Sequence, residues 1–354
     1  MFLAWNEIIK NKLRFTLIIG VLMLVAYLVF FLSGLASGLA SLNREAVDKW
    51  DADAIVLTEE SDQSLTQSSF GSDAVDTIDA DETAVLGQLN AIAQTGDEKA
   101  NVSIFGINSD EFIMPEITEG KEFTGANQVV AGDALKDDGF KLGDTISLSS
   151  TEEKLEIVGF TDEARFNAAP VLYTDLDTFE QVKFGEAAGS ESQISGVAVR
   201  TDDISGVTNE EDLAVIETET FIESLPGYTA QSLTLNFMIY FLFAISSVIV
   251  AIFLYVLTVQ KISMFGVMKA QGIPSGYLAR SVIAQTAILA AVGVVVGLGL
   301  TLLTGAFLPS AVPVAFDIPT MLIYGLVLIV VAILGAVFSV LTIVKIDPLK
   351  AIGG

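Results

Sequence analysis

The chemically active side chains of this sequence are mainly carboxylates, since it contains 44 Asp and Glu residues but no His and no Cys. Without His the chain lacks the commonest metal ligand and the usual general base near neutral pH. No G-x-x-x-x-G-K-[ST] motif occurs, and "FGEAAGSES" at 184–192 has glycines but no lysine to hold a phosphate. These absences exclude His-dependent catalysis and P-loop ATP binding. The predicted membrane interior also lacks the charged residues that ion-coupled transporters usually keep, so we expect the energy for any transport to come from elsewhere.

A distinctive polar stretch, "FGVMKAQGIPSGYLARS", lies between two very apolar segments. It has two positive charges, Lys269 and Arg280, a Gly-Ile-Pro break at 272–274 and an aromatic residue, Tyr277. Because Gly and Pro interrupt helices, the break predicts two short helical pieces. The hairpin either presents apolar side chains to a groove on a soluble partner or lies in the membrane interface without a partner. The apolar side chains that would contact the partner are Met264, Phe265, Val267 and Met268.

Charge and hydrophobicity are separated along the chain, although 52% of its residues are hydrophobic and its net charge is −26. Four windows have no charged side chain, and each can hold the roughly 20 apolar residues that cross a bilayer. They predict transmembrane helices near 14–38, 233–259, 281–306 and 319–344. An even number of spans places both termini on the same side of the membrane.

Basic residues flank the predicted spans on one side. They are Lys10, Lys12, Arg14, Lys261, Lys269, Arg280, Lys345 and Lys350. The acidic residues, apart from Glu7, Asp317 and Asp347, lie between Glu45 and Glu223. The positive-inside rule therefore predicts a multi-pass plasma-membrane protein with cytoplasmic termini and a large extracellular segment.

The extracellular segment is long enough for one folded domain. The apolar pattern predicts strands in 51–60 and 100–108, period-two alternation predicts a strand in 152–162, and helical spacing predicts a helix at 79–93. We expect an α-helical membrane protein with four transmembrane helices and an α+β extracellular domain inserted between the first and second. The predicted parts are a cytoplasmic interfacial helix at 1–13, transmembrane helix 1 with its outward extension at 14–44, the extracellular domain at 45–225, and helices 2–4 at 226–354 with a cytoplasmic loop at 261–280 and a cytoplasmic tail.

Several segments resemble a known family. "ISMFGVMKAQGIPSGYLARSVIAQTAILAAVGVVVGLGL" resembles the permease segment of the MacB/FtsX-type ATP-binding-cassette (ABC) family, and "VKIDPLKAIGG" resembles its cytoplasmic ending. "AWNEIIKNKLRFTLIIG" resembles the amphipathic entry helix, and the run from "GKEFTGANQVV" to "APVLYTDL" resembles the extracytoplasmic domain. These parts follow the family's order and cover most of the chain. Ser263 departs from the pattern, because the family often has an acidic residue there.

The resemblance implies a homodimeric permease in the lipid bilayer, with two separate ABC ATPase subunits on the cytoplasmic side. ATP would bind to those partner subunits, so the chain would be no enzyme by itself, with no intrinsic cofactor and no nucleic-acid partner. The segment 261–280 resembles the coupling segment that seats in the ATPase. The coupling residues implied are Phe265, Gly266, Met268, Lys269, Gly272, Pro274 and Tyr277.

Within the family, "MFLAWNEIIKNKLRFTLIIGVLMLVAYLVFFLSGLASGLASLN" is most similar to heme-efflux (HrtB-type) permeases of Gram-positive bacteria. This implies heme as the transported substrate, expelled from the outer leaflet of the membrane. A site for this flat, apolar dianion should be an apolar slot, and small residues spaced G-x-x-x-G permit close helix approach. Ordinary helix packing and lipid contact are the alternative roles. The candidate slot residues are Phe30, Phe31, Gly34, Gly38, Asn236, Phe237 and Phe241.

Heme iron would need a Tyr, Met or carboxylate ligand, because His and Cys are absent. Glu45 ranks first, since it extends the small-residue face of the first helix, and no other metal ligation is expected. Glu219 and Glu223 are spaced i, i+4 and share a face if helical. Tyr228 lies at the outer end of the second span and Met238 about three turns deeper. The alternative roles are solvated carboxylates, an interfacial tyrosine and a packing methionine.

Two rival functions remain. The same machine could export an antimicrobial peptide, a lipopeptide or a lipoprotein, as MacB-like members do. Alternatively, an FtsX-like member transports nothing and transmits ATPase motion to an enzyme outside the cell. That second rival predicts an exposed apolar docking patch on the extracellular domain, whereas an exporter needs a lateral slot in the membrane.

Overall fold

The computed structural model describes residues 12–149, 151, 153–185, 192–207, 212–260, 262–309 and 312–344. The chain folds into two compact units. We call them the helical unit, Met1–Leu39 with Ser232–Gly354, and the β-rich unit, Ala40–Gln231. The predicted interfacial helix at 1–13, apart from its last two residues, and the predicted tail after 344 lie outside the described residues.

The first helix, α1 (Lys12–Trp50), is longer than the predicted span and extension. Its residues from 15 to 39 include no charged side chain and belong to the helical unit, and the helix is long and apolar enough to cross a membrane. The last turns belong to the β-rich unit, where Ala46, Val47 and Trp50 are buried in a hydrophobic core. The extension is therefore anchored by apolar side chains rather than solvated on all sides.

The β-rich unit is an α+β domain, as predicted. Its strands are β1 Ala54–Thr58, β2 Phe70–Gly71, β3 Glu82–Thr95, β4 Glu98–Ile107, β5 Glu119–Gly120, β6 Gln128–Gly132, β7 Thr145–Leu148, β8 Lys154–Thr161, β9 Arg165–Phe166, β10 Ala169–Asp175, β11 Gln193–Ile194, β12 Gly196–Arg200 and β13 Leu213–Glu217. Its short helices are α2 Ala134–Asp137, α3 Leu176–Phe184 and α4 Thr218–Ser224.

One large sheet organises this unit. Its strand order is β13-β1-β12-β3-β4-β10-β6-β8-β5, with β7 paired to β3 and β8, and β9 paired to β10. Strand β10 runs parallel to β4 and β6 parallel to β8, while the other pairings are antiparallel. β2 and β11 form a separate pair. The strands predicted at 51–60, 100–108 and 152–162 correspond to β1, β4 and β8.

The helix predicted at 79–93 is wrong, because this segment forms β3. The strand pairs with β12 over residues 82–86 and with β4 over 87–95. Both of its faces are covered: Leu86 lies in one hydrophobic cluster and Val85 in another. Burial on both faces removes the strict apolar–polar alternation that marks a half-exposed strand, so periodicity alone favours a helix.

The remaining helices are α5 Tyr228–Gln260, α6 Ile262–Ala270, α7 Ser275–Gly305 and α8 Ile318–Val344. Within the described residues, four helices (α1, α5, α7 and α8) are long and apolar enough to cross a membrane, as predicted. Helix α5 begins at 228 rather than near 233, and α7 begins at 275 rather than near 281. Most of the segment predicted as a loop at 261–280 is therefore helical.

Small residues let the membrane helices approach closely. A Cβ added to Gly293 of α7 would lie 2.8 Å from the Cβ of Leu22 in α1. A Cβ added to Gly335 of α8 would lie 2.7 Å from the carbonyl oxygen of Ser247 in α5. These contacts match the enrichment of small residues at interfaces between membrane helices, where close packing replaces the hydrophobic effect as the driving force.

Candidate functional site

Glu45, the first-ranked iron ligand, lies in the part of α1 that belongs to the β-rich unit and is half-buried. Burial raises the pKa of its carboxyl group, and the nearby positive charge of Arg165 opposes that shift. Burial, and to a lesser degree the charge of Glu45, raise the pKa of Tyr173 on β10. The carboxylate therefore lies within the β-rich unit, in an environment whose burial penalises its negative charge more than the nearby positive charge stabilises it.

Arg44, the residue before Glu45, organises a polar cluster inside the β-rich unit. Its Nε donates to both carboxylate oxygens of Asp48 at 2.9 Å. Its terminal nitrogens donate to the two oxygens of Glu219 at 3.0 and 2.9 Å, and one also donates to the Tyr228 hydroxyl at 3.3 Å. Burial opposes the charge of Arg44, but these hydrogen bonds outweigh it and raise the pKa above its usual value. Two predicted iron ligands, Glu219 and Tyr228, are thus engaged by one guanidinium.

Glu223 lies one turn further along α4 than Glu219 and is exposed. It takes no part in the Arg44 cluster, whose acidic members are Asp48 and Glu219. In the part of the chain that the structure describes, no three His, Cys, Asp or Glu side chains form a group that could hold a metal ion. The structure therefore leaves Glu45 and Glu223 as carboxylates outside that ion-pair cluster.

The small-residue face of α1 is covered by the chain itself. Rings and backbone of the segment 313–316 lie on it: a Cβ added to Gly34 would be 2.6 Å from the Phe316 ring, and one added to Gly38 would be 2.3 Å from the carbonyl oxygen of residue 313. The N–H of Ala315 donates to the carbonyl of Gly34 at 3.0 Å. Phe30 is fully buried. These three slot candidates occupy packing positions within one chain.

Phe31 and the candidates on α5 are more accessible. The Phe31 ring stacks on Tyr27 with a centroid distance of 5.9 Å. On α5, Phe237 and Phe241 are 60% and 63% exposed, and their ring centroids lie 6.5 Å apart. Asn236 is half-buried, whereas Met238 and Tyr240 are exposed. We call Phe237, Met238, Tyr240 and Phe241 the aromatic face of α5.

The aromatic face of α5 is part of a longer apolar surface. The other exposed large apolar residues of the helix are Leu233, Ile245, Val248, Ile252, Phe253, Tyr255, Val256 and Val259. Spacings of three and four residues place most of them on one side of the helix. An apolar surface of this length suits lipid, a second protein chain or a flat apolar ligand.

The Gly-Ile-Pro break between α6 and α7 is a Schellman motif. The N–H of Ile273 donates to the carbonyl of Met268, and the N–H of Gly272 donates to the carbonyl of Lys269. Gly272 has φ +88°, a conformation that side chains with a Cβ avoid. Pro274 then adopts an extended conformation at the N-cap of α7. The break joins α6 to α7, so helices lie on both sides of it as predicted. Only the first is short, because the second is the start of the 31-residue helix α7.

Within this hairpin, the predicted coupling residues divide into a core and a surface. Phe265 is 4% exposed and packs in one cluster with Leu278 and Val282, and Gly266 is also buried. Met268 is partly buried against the same cluster. The exposed apolar side chains are Met264, Val267 and Tyr277. We call these three residues the hairpin knob.

Sequence reasoning missed Arg44 as an organising residue. Its spacing from Asp48 indicates an i, i+4 ion pair on a helix. Its pairing with Glu219, 175 positions later in the chain, has no sequence signal. The structure brings together Arg44, Glu219 and Tyr228 inside the β-rich unit, and it places Phe237 and Phe241 together within the helical unit.

Two family profiles match this chain. The MacB-like periplasmic core domain matches residues 15–214, and the FtsX-like permease C-terminal domain matches residues 236–348. The first match covers more than half of the 354 residues. The order of the two domains agrees with a β-rich unit inserted after the first membrane helix.

Full-length relatives have low identity to the chain. A "Putative hemin transport system permease protein HrtB" of Staphylococcus epidermidis (strain ATCC 12228) is 27% identical, covering 100% of this chain and 99% of the relative. The protein of the same name from Staphylococcus haemolyticus is 24% identical with the same coverage. An "Uncharacterized ABC transporter permease" of Mycobacterium tuberculosis (strain H37Rv) is 22% identical, again covering 100% of this chain and 99% of the relative.

Among solved structures, the extracellular domain of the ABC-type transporter YknZ from Gram-positive bacteria aligns with a TM-score of 0.35 at 15% identity. It covers 47% of this chain and 100% of that structure. The periplasmic region of MacB from Actinobacillus actinomycetemcomitans gives a TM-score of 0.35 at 14% identity, covering 49% of this chain and 92% of that structure.

Proposed function

Because this chain belongs to the MacB/FtsX family of ABC transporter permeases, we propose that it is the permease subunit of an ATP-driven exporter that expels heme. The observation that carries the proposal is the end-to-end similarity to relatives named as hemin transport permeases. A shared fragment would support only the family, whereas coverage of both units extends the likeness to the whole molecule.

The proposal includes the orientation of the chain in the membrane and the protein subunits that bind it. The basic residues beside the spans favour a cytoplasmic α6–α7 hairpin and a β-rich domain outside the cell. ATPase subunits would then bind the hairpin knob, because its exposed apolar side chains stand on two helices fixed by the Schellman motif. Two copies of the chain and two ATPase subunits would form the working exporter.

The aromatic face of α5 suits the substrate. Heme is flat and largely apolar, so it partitions into lipid, and exposed rings on a membrane helix can stack on a porphyrin. Phe237 and Phe241 are adjacent, tilted by 34° and uncovered by the described part of the chain. Each stacking contact of this kind contributes about 0.5–1.5 kcal/mol beyond the burial of area.

A transport assay tests this role of α5. The chain and its ATPase would be reconstituted in vesicles containing hemin, with apomyoglobin outside as acceptor, and ATP-dependent transfer would be followed by absorbance. Phe237→Leu with Phe241→Leu should slow transfer roughly 5- to 150-fold, since two stacking contacts of about 0.5–1.5 kcal/mol each are lost. Phe253→Leu, on the same helix and also exposed, is the matched control and should transfer at the wild-type rate. Equal rates for the wild type, the double variant and Phe253→Leu would contradict a role of the aromatic face of α5 in heme transfer.

Iron ligation is a separate part of the proposal. We keep Glu45 as the first candidate, because burial disfavours its negative charge and a ferric ion would compensate that charge. Glu45→Ala should weaken hemin binding and make cells more sensitive to hemin at an unchanged protein level. Glu223→Ala and Tyr228→Phe are the comparison variants. If either of them fails while Glu45→Ala binds normally, the ligand assignment is wrong but heme transport stands.

A further inference from the structure

The β-rich unit has an open cleft that shares no residue with the proposed heme site. Its volume is about 380 Å³, within the roughly 300–1,000 Å³ typical of small-molecule sites. Its lining includes Asn90 and Ile92 on β3, Asn101 on β4, and Ser149, which follows β7. Ile92 is the cross-strand partner of Asn101, and alternate residues of a strand share a face. Asn90, Ile92 and Asn101 therefore lie together on one face of the sheet.

The polar side chains of this lining reach solvent and keep hydrogen-bonding capacity. Asn101 is exposed, and its amide makes no hydrogen bond to the described residues, so it offers both an acceptor and donors. Ser149 is exposed as well. Its Oγ accepts from the backbone N–H of Ile92 at 3.0 Å, and its hydroxyl proton is available for a second hydrogen bond.

A buried network fixes the exposed amide of Asn90 in the same lining. Gln88 is 1% exposed and Ser103 is fully buried. Gln88 Nε2 donates to Asn90 Oδ1 at 3.0 Å and to Ser103 Oγ at 2.9 Å, and Ser103 Oγ donates to Asn90 Oδ1 at 3.3 Å. Because Oδ1 accepts both bonds, Nδ2 is the group that Asn90 offers to a ligand. Buried polar support of this kind orients a binding group before the ligand arrives.

We propose that this cleft binds a neutral saccharide of one or two rings. Sugar hydroxyl groups donate and accept, which matches a lining in which Asn90 and Ser149 donate and Asn101 does both. These hydroxyl groups take the places of the water molecules that hydrate the exposed amides. The side chain of Ile92 is 44% exposed and gives the C–H face of a sugar ring an apolar surface to cover.

The absence of charge in the lining narrows the class of ligand. None of the described residues that line the cleft is charged, although the chain contains 44 Asp and Glu residues. A cation would find no counter-charge in the cleft, and the net charge of −26 disfavours an anion. A fully apolar ligand would cover the amide of Asn101 without giving it a partner, which costs free energy. A neutral ligand rich in hydroxyl groups satisfies all three conditions.

Calorimetric titration of the full-length chain tests the proposal. The micelles should have phosphocholine head groups, because a sugar head group would compete for the cleft. The probes are maltose and N,N′-diacetylchitobiose, with the neutral peptide Nα-acetyl-alanyl-alanine methylamide for comparison. Saturable binding of either sugar, at least tenfold tighter than binding of the peptide, supports the site, and the tighter sugar shows whether an acetamido group is recognised. No binding of either sugar, or peptide binding within tenfold of the tighter sugar, overturns the proposal.

Substitutions in and beside the cleft test the assignment of its residues. Asn101→Ala removes an acceptor and donors and should weaken sugar binding roughly fivefold or more, and Ser149→Ala should weaken it roughly twofold to tenfold. Ser147→Ala is the matched control and should bind like wild type, because Ser147 is also exposed but does not line the cleft. Thermal unfolding should change little in all three variants, since the replaced side chains are exposed.

Wild-type affinity of Asn101→Ala, or an equal loss of affinity in Ser147→Ala, would contradict the assignment. Neither hemin nor the ATPase takes part in these titrations, so a negative result leaves the proposed heme export untouched.

Discussion

Replacing Gly38 by alanine tests whether the small-residue face of α1 is occupied by the chain itself. The added Cβ would lie 2.3 Å from the carbonyl oxygen of Pro313, 2.5 Å from its carbonyl carbon and 2.8 Å from the Cα of Val314. All three are backbone atoms, so they cannot rotate away as a flexible side chain does. Overpacking of this kind typically destabilises a protein by about 1–3 kcal/mol. A helical Gly→Ala change without a clash stabilises by roughly 0.5–1 kcal/mol.

Gly20→Ala is the matched control on the same helix, because a Cβ there has no atom within 4 Å. Unfolding of the purified chains in mixed micelles should show Gly38→Ala to be less stable than Gly20→Ala by about 1–3 kcal/mol, the overpacking term. Equal stability of the two variants would refute the packing of residues 313–316 on α1. If Gly38 instead lined an interface between two chains, its substitution would change self-association and leave the unfolding of one chain unaffected.

Three further predictions concern the hairpin, Glu45 and the source of energy. Tyr277→Ser should weaken pull-down of the ATPase subunit about 30-fold, as loss of an aromatic anchor does. Phe265→Ala should instead lower thermal stability, because its ring is buried. The reverse pattern would contradict the division of the hairpin into a buried core and the hairpin knob. Because the pKa of Glu45 is raised from 4.5, the folded state retains this proton to higher pH than the unfolded state, so stability falls as the pH rises above about 4.5. Denaturant midpoints measured from pH 4 to 7 should show Glu45→Gln losing that part of the pH dependence, and an unchanged profile would argue against a desolvated carboxylate. The purified chain without ATPase subunits should hydrolyse no ATP, and vanadate-sensitive phosphate release by the pure chain would exclude the proposed division of labour.

The four membrane-spanning helices could be predicted from the sequence, because charge and hydrophobicity separate cleanly along the chain. Uncharged windows of sufficient length marked the four helices. The break at Gly272–Pro274 could also be predicted from the sequence, since few residue types suit a positive φ followed by a helix N-cap. Strand β8 was predicted from the alternation of exposed and buried residues at its start, and β1 and β4 were predicted from their apolar and β-branched residues.

Features that depend on contacts between residues distant in sequence could not be predicted from the sequence. Strand β3 was predicted as a helix, because burial on both faces hides its period. Phe265 was predicted as a contact residue, but its neighbours Leu278 and Val282 come from the next helix and bury it. Glu219 was predicted as a candidate iron ligand, yet a guanidinium from α1 binds it. In each case the partner is set by tertiary structure, which local pattern does not encode.

Titration of the purified permease–ATPase complex with hemin, followed by visible absorption, tests the central proposal most directly. Heme export predicts a saturable change in the Soret band at one hemin per two permease chains. It also predicts a high-spin ferric spectrum, because the chain has no His or Cys and its remaining oxygen donors are weak-field ligands. A change that never saturates, or that matches micelles without protein, would contradict heme as the substrate and favour a peptide exporter or a mechanical transmitter.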